Sequence, residues 1–239
     1  LIGLGKSIAE LKAEGYLPQN MDGASLPEET AIAVKAAVLP FARFRTPEGV
    51  VVDSLLSPEM RSTGEVMGLD KHYDTAFAKA QAGAGSPLPT SGKVFISVAN
   101  HDKRNVIIYA KMLESLGFEI VSTGGTAEIL RRNGLNSVLV ASKFAEANGD
   151  HSIVDMVRNG DIDLILNTPA GGAARSDGYE IRAAAVSVGC PVMTTISEFA
   201  AAVQAINALR EHSWDIMSLQ EHGVQLAAAV DARSEGGEA

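Results

Sequence analysis

The sequence predicts an α/β fold, with a five-stranded parallel sheet covered by helices in residues 93–212. In this region five short apolar runs alternate with five segments of helical periodicity, which is the pattern of successive βα units. The apolar runs are continuous rather than alternating, as expected of strands that are buried on both faces. A segment rich in Gly, Pro and Ser over 83–92 precedes the region and is predicted to be a linker.

Each element of the regular region is predicted from its own pattern. The strands are predicted over 93–98, 118–121, 137–140, 163–166 and 191–195. The helices are predicted over 105–116, from about 126 onwards, and over 151–157, 181–188 and 197–209. Ligands of such sheets bind at the carboxyl ends of the strands, so these are the positions to search for function.

The first 82 residues have a different organisation. A short helix is predicted over 7–13, a polar loop over 17–30, strands over 31–39 and 50–56, and a helix over 70–82. These elements are too few to enclose a core, so the segment is interpreted as the trailing part of a larger domain. Residues 213–239 are predicted to be a C-terminal tail.

The composition argues against a nucleic-acid-binding protein and against a membrane protein. The chain has 20 Lys and Arg against 29 Asp and Glu, a net charge of -9, which gives no support to a nucleic-acid surface. No apolar run reaches the roughly 20 residues of a membrane span, and no signal peptide is recognisable, so we expect a cytoplasmic protein that binds no membrane. The chain begins with Leu1, and we expect it to be a fragment.

The number of cysteines also fits a cytoplasmic protein. Cys190 is the single cysteine, so neither an internal disulfide nor a metal site built from several cysteines can form. We expect Cys190 to be a small buried side chain rather than a reactive thiol. No spacing of His, Asp and Glu predicts a metal site.

A candidate phosphate site follows the second strand of the regular region, where the chain reads Ser122-Thr123-Gly124-Gly125-Thr126 and then becomes helical. Glycines let backbone N–H groups approach a ligand, and a helix N-terminus favours an anion. We expect the N–H groups of residues 124–126 to be the backbone donors. The structural alternative is a simple turn in which Thr126 caps the helix.

Other strand ends carry matching groups. The first strand ends in Ser97, and Asn100 and Lys103 follow it. Lys143 follows the third strand, and Asn167 and Thr168 follow the fourth. Each lysine alone could be a solvated surface charge. Their convergence with hydroxyl groups and an amide on one sheet edge favours an anion pocket, in which we expect Lys103 and Thr126 to lie near the surface.

Three segments resemble one family. The run LLSPEMRSTGEVMG over 55–68, the run VLPFARF over 38–44 and the helix end AFAKAQ over 76–81 resemble the end of the second ATP-grasp unit of carbamoyl-phosphate synthase large subunits. Residues 92–212 resemble the methylglyoxal synthase-like domain that closes these subunits. The resemblance implies that residues 1–82 are the remnant of an ATP-grasp domain and that 93–212 form the regulatory domain.

The resemblance also implies a regulatory ligand. In the family this domain binds a nucleotide monophosphate such as UMP or IMP. The family's phosphate-binding pattern corresponds to Ser97, Lys103, Thr123, Gly125, Thr126, Lys143, Asn167 and Thr168, and Gly124 lies within it. A carboxylate associated with ornithine control would fall at Ala36, which argues against an ornithine response.

For the parent enzyme, the resemblance implies a ligase of pyrimidine and arginine biosynthesis. It makes carbamoyl phosphate from bicarbonate and ammonia with ATP and Mg or Mn, and a glutaminase small subunit supplies the ammonia. The residues for ATP and metal would lie upstream of Leu1. We therefore expect this chain alone to be inactive, with no cofactor and no catalytic residue. The sequence leaves a homo-oligomer open.

Two alternatives share the fold. A stand-alone lyase of the methylglyoxal synthase type would act on dihydroxyacetone phosphate, and Asp150 matches one of its carboxylates. Thr168 and Ala99 stand where that enzyme needs a second carboxylate and a histidine, so its acid–base set is incomplete. A cyclohydrolase domain would lack the block over 55–68, which makes that block the discriminating feature.

Overall fold

The computed structural model describes residues 1–17, 30–39, 64–142, 152–169, 178–211, 214–225 and 228. These residues fall into two compact units, one made of Leu1–Thr30 with Met217–Ala239 and the other of Ala31–Ile216. The predicted strand over 50–56, Lys143 and Asp150 lie outside the described residues. No helix of the described part is long and apolar enough to cross a bilayer.

The first unit contains short helices held by capping boxes. Helix α1, Ile8–Ala13, begins after Ser7, whose side chain accepts from the Glu10 backbone N–H while the Glu10 carboxylate accepts from the Ser7 N–H. Ser218 and Glu221 make the same reciprocal pair before a helical segment over 219–225. Each pair satisfies N–H groups that the first helical turn leaves without an intrahelical partner.

The second unit contains the five-stranded sheet, and all four of its strand pairs are parallel. Its strands are β3 Lys93–Ser97, β4 Glu119–Ser122, β5 Leu139–Val140, β6 Leu164–Asn167 and β7 Val192–Met193. Their order across the sheet is β5-β4-β3-β6-β7. The prediction of an α/β fold with a five-stranded parallel sheet is confirmed.

Helices cover both faces of this sheet. They are α3 Val106–Ser115, α4 Gly124–Arg132, α5 Ile153–Arg158, α6 Tyr179–Val188 and α7 Ile196–Glu211. Val94 and Ile96 pack in one core with α3, α4 and α7, whereas Phe95 faces a second core formed with α5 and α6. Successive residues of β3 therefore point to opposite faces, and all three are fully buried.

A second sheet precedes this one in the sequence. Strand β1, Ile32–Val38, pairs antiparallel with β2, Gly64–Asp70, and helix α2, Tyr73–Gly83, packs against β2. The strand predicted over 31–39 is confirmed, but β2 was not predicted, because its sequence GEVMGLD contains two glycines and lacks strict alternation. Packing explains the second glycine, Gly68, because a Cβ there would lie 1.9 Å from the carbonyl oxygen of Ala76 in α2.

Helix α2 belongs to the same hydrophobic core as the main sheet. Its buried residues Phe77 and Ala78 lie in one cluster with Val94 of β3 and Phe199 of α7. Lys79 on the same helix pairs with Asp70 at the end of β2, with Nζ 2.7 Å from Oδ2. The boundary at 83–92 between a remnant domain and a regulatory domain stays a prediction.

Candidate functional site

The site is built where three neighbouring strands end. β4, β3 and β6 lie side by side, and their register aligns Ile96 with Ser122 and Ser97 with Asn167. Because the strands are parallel, their carboxyl ends meet at one edge of the sheet. The sheet therefore brings Ser97, Thr123 and Asn167 together, as the sequence predicted.

Hydroxyl groups join the loops at this edge. The Ser97 and Thr123 hydroxyl oxygens are 3.2 Å apart, and either can donate to the other. The Thr168 hydroxyl accepts from the Ala99 N–H at 2.9 Å, and the Thr126 hydroxyl accepts from the Val98 N–H at 3.4 Å. These two bonds fix the backbone that follows β3 and leads to Lys103.

Thr126 differs from the expectation. Its side chain is only 2% exposed, so the prediction that it lies near the surface is wrong. The helix α4 begins at Gly124, and the residue before it, Thr123, is its N-cap, so the alternative with Thr126 as the cap is also wrong. The buried Thr126 hydroxyl accepts from the Val98 backbone N–H, a long-range contact that local sequence does not reveal.

The N-terminus of α4 presents two backbone N–H groups that have no intrahelical partner. Gly124 and Gly125 are exposed, and a Cβ at Gly124 would meet nothing within 4 Å. The first N–H groups of a helix have no intrahelical partner. The N–H of Thr126, by contrast, donates to the Thr123 carbonyl at 2.9 Å, so the expected set of three backbone donors reduces to Gly124 and Gly125.

Lys103 lies over this helix start. Its Nζ is 3.4 Å from the point that a Cβ at Gly125 would occupy, and the side chain is half-buried. An ammonium at the N-terminus of a helix has the unfavourable sign for the helix dipole, because that end already carries positive partial charge. The two positive groups together create a place where an anion is stabilised.

Sequence reasoning missed one member of the site. Arg182, on α6, donates from Nη1 to the Asn167 side-chain oxygen at 3.1 Å, and the Asn167 Nδ2 donates to the Ser97 carbonyl at 3.5 Å. Asn167 and Thr168 are both buried, at 7% and 6% exposure. Arg182 lies in the first turn of an amphipathic helix, where a cation is indistinguishable in sequence from a solvated surface charge.

Other candidate chemistry is sparse in the part of the chain that the structure describes. That part contains no group of three or more His, Cys, Asp or Glu side chains able to hold a metal ion. Cys190 is part-buried, and its thiol contacts the Ile162 carbonyl at 3.4 Å. Burial, with the nearby Asp163 carboxylate, raises the pKa of Cys190 to about 12, which agrees with an unreactive thiol.

Comparison with known proteins adds two findings. Residues 105–194 match the MGS-like domain family. The chain is 67% identical to a carbamoyl phosphate synthase large chain of Kocuria rhizophila over 224 residues, which are 93% of this chain and 20% of that protein. The large chains of Paenarthrobacter aurescens and Streptomyces griseus are 60% and 53% identical, over 97% and 96% of this chain and 21% of each relative.

The matches cover nearly all of this chain, but the chain spans only about a fifth of the length of these relatives. The matched stretch includes both the five-stranded sheet and the preceding segment with β1, β2 and α2, which lies outside the match to the MGS-like family. Residues 105–194 are an MGS-like domain, and the chain is homologous to the C-terminal part of the carbamoyl phosphate synthase large chain.

Proposed function

We propose that this chain is the regulatory C-terminal part of a carbamoyl phosphate synthase large chain, and that its sheet edge binds the phosphate of a nucleoside monophosphate such as UMP or IMP. The whole protein would be the glutamine-dependent ligase of pyrimidine and arginine biosynthesis, working with ATP, a divalent metal and a glutaminase small subunit. The similarity to large chains supports the parent enzyme, and the geometry of the pocket supports the ligand.

The observation that carries the ligand proposal is the position of Lys103. Its ammonium lies against the exposed start of α4 at Gly125, although both groups are positive. In a protein of net charge -9 this concentration of positive potential is local rather than general. A bound phosphate would relieve the repulsion and gain charge-assisted hydrogen bonds from Lys103 and from the N–H groups of Gly124 and Gly125.

The hydroxyl pair supports the same ligand. When one of Ser97 and Thr123 donates to the other, the acceptor hydroxyl keeps its own proton for a further partner. A phosphate oxygen is a suitable acceptor for that proton. Lys143, which lies outside the described residues, is proposed as a second cation for the same phosphate. Ala36 lies in β1 and has no group that could bind an amine, so ornithine control at that position is not proposed.

The test is calorimetric titration of the chain with UMP, IMP and inorganic phosphate. Changing Lys103 to Met keeps the aliphatic bulk but removes a charged hydrogen bond, which contributes roughly 1.5–3 kcal/mol and so about 10- to 150-fold in affinity. Lys111→Met is the matched control, since Lys111 is an exposed lysine on α3 of the same unit.

We expect UMP or IMP to bind the wild type and the Lys111 variant alike, and the Lys103 variant that much more weakly. Equal binding by both variants would place the ligand elsewhere. If neither nucleotide binds the wild type, the proposal of a nucleoside monophosphate as the regulatory ligand is wrong.

A further inference from the structure

We propose that Arg182 is a positioning residue of this pocket, which orients the Asn167 side chain so that an amide N–H, and not the carbonyl oxygen, faces the anion. The proposal rests on the proposed function and extends it, because it assigns a role to a residue of α6 that lies outside the strand ends. It follows from the contacts of Asn167 and from the space left at Gly178.

A guanidinium group fixes the orientation of an amide that it contacts. Arginine has only N–H donors, so the atom that it faces at 3.1 Å must be the amide oxygen of Asn167. The NH₂ group then has to point the other way, and it does so, donating to the Ser97 carbonyl. An asparagine amide has two N–H groups, and that contact needs only one of them.

The edge that this NH₂ group faces is the edge of the candidate phosphate pocket. Ser97, whose carbonyl receives the Asn167 N–H, also contributes the hydroxyl that pairs with Thr123 at the N-cap of α4. If the amide were rotated by half a turn, its oxygen would face this edge, and an oxygen repels phosphate. Arg182 therefore determines that Asn167 presents its NH₂ group, and not its oxygen, to the ligand.

The space for the contact is reserved by Gly178. A Cβ there would lie 2.2 Å from Arg182 Nη1 and 2.5 Å from Asn167 Oδ1, both too close for real atoms. The backbone of Gly178 has φ −98 and ψ −10, which any residue adopts. Glycine at this position therefore provides room rather than a special conformation, and a larger residue would require the Arg182 and Asn167 side chains to move.

A double-mutant cycle on binding separates positioning from direct contact and from a structural role. The variants are Arg182→Met, Asn167→Ala and the double variant, with UMP and IMP as the titrated probes. Arg158→Met is the control for loss of charge, because Arg158 is an exposed cation on α5, which packs against α6.

If Arg182 acts through Asn167, each single variant weakens nucleotide binding roughly 5- to 10-fold, the size of one lost hydrogen bond. The double variant then binds within about twofold of Asn167→Ala, because without the amide nothing remains to orient. The Arg158 variant binds as the wild type does. Additive losses would show that Arg182 contacts the ligand itself, and unchanged affinity would show that it has no part in the site. Either result overturns the inference.

Gly178→Ala provides a second route if the arginine variant folds poorly. It pushes Arg182 away from Asn167 without changing a charge, and should weaken binding by a similar factor. Wild-type affinity in that variant would also contradict the inference. Failure of the proposed function is distinguishable, because it shows as a wild type that binds neither nucleotide or as a Lys103→Met variant that binds normally.

Discussion

Replacing Gly68 with Ala should destabilise the unit formed by residues 31–216 more than other glycine substitutions in the same strand. A Cβ at Gly68 would lie 1.9 Å from the Ala76 carbonyl oxygen and 2.6 Å from the Ala80 nitrogen, both backbone atoms of α2. Real Cβ atoms essentially never approach within 3.0 Å, so α2 has to move away from β2 by about 1 Å. That helix carries Phe77 and Ala78 into the main core, so its movement disturbs the core as well.

Overpacking of this kind costs about 1–3 kcal/mol, and we expect the upper end because a helix backbone cannot rotate out of the way as a side chain can. For a chain of this size, about 3 kcal/mol corresponds to a melting temperature lower by about 6–12 °C. Gly64→Ala is the matched control on the same strand, since a Cβ there would meet only the Val38 Cβ, at 3.8 Å. Thermal unfolding followed by circular dichroism measures both. Equal melting temperatures for the two variants would refute the packing argument.

Two further predictions concern ionisable groups. Burial raises the pKa of Asp70, but the hydrogen bonds from Lys79 and the His72 N–H outweigh it and leave that pKa below its ordinary value. The resulting stability is present above about pH 4, the pKa in the unfolded chain, and is lost as the pH falls through the lower folded value. Asp70→Asn removes the charge but keeps an oxygen that can accept these hydrogen bonds, so it should lower the free energy of unfolding at pH 7 by about 1 kcal/mol or less and flatten its acid dependence. A variant as acid-sensitive as the wild type in denaturant titrations at pH 2–7 would contradict this. Cys190, with its pKa raised to about 12, should react with iodoacetamide at pH 8 on the order of a hundredfold more slowly in the folded than in the unfolded chain, and comparable rates measured by mass spectrometry would show that the thiol is accessible and ionised.

The sheet could be predicted from the sequence because each strand is a continuous apolar run followed by a helical period. Parallel strands then place their carboxyl ends on one edge, so Ser97, Thr123 and Asn167 could be assigned to a common site without coordinates. The antiparallel strand β2 could not be predicted in the same way. Its glycine at position 68 is explained by contact with α2, which the local pattern does not contain.

The roles of individual site residues depended on contacts between distant segments. Thr126 was expected at the surface, but it is buried, and its hydroxyl accepts a hydrogen bond from the Val98 N–H, 28 residues earlier in the chain. Arg182 was not singled out at all, since only the fold brings α6 to the end of β6. Residue type and spacing predicted which strand ends meet, whereas the partner of each side chain required the three-dimensional structure.

Amide NMR of the chain during titration with UMP shows whether a phosphate group binds at the start of α4. We expect the N–H resonances of Gly124 and Gly125 to shift most, because these donors have no intrahelical partner and would bind the phosphate oxygens. Uridine, which lacks the phosphate, should leave both resonances in place. Shifts that instead concentrate on the groove between α5 and α6, around Asp155, Arg158 and Glu180, with Gly124 and Gly125 unchanged, would place the ligand in that groove and not at the start of α4.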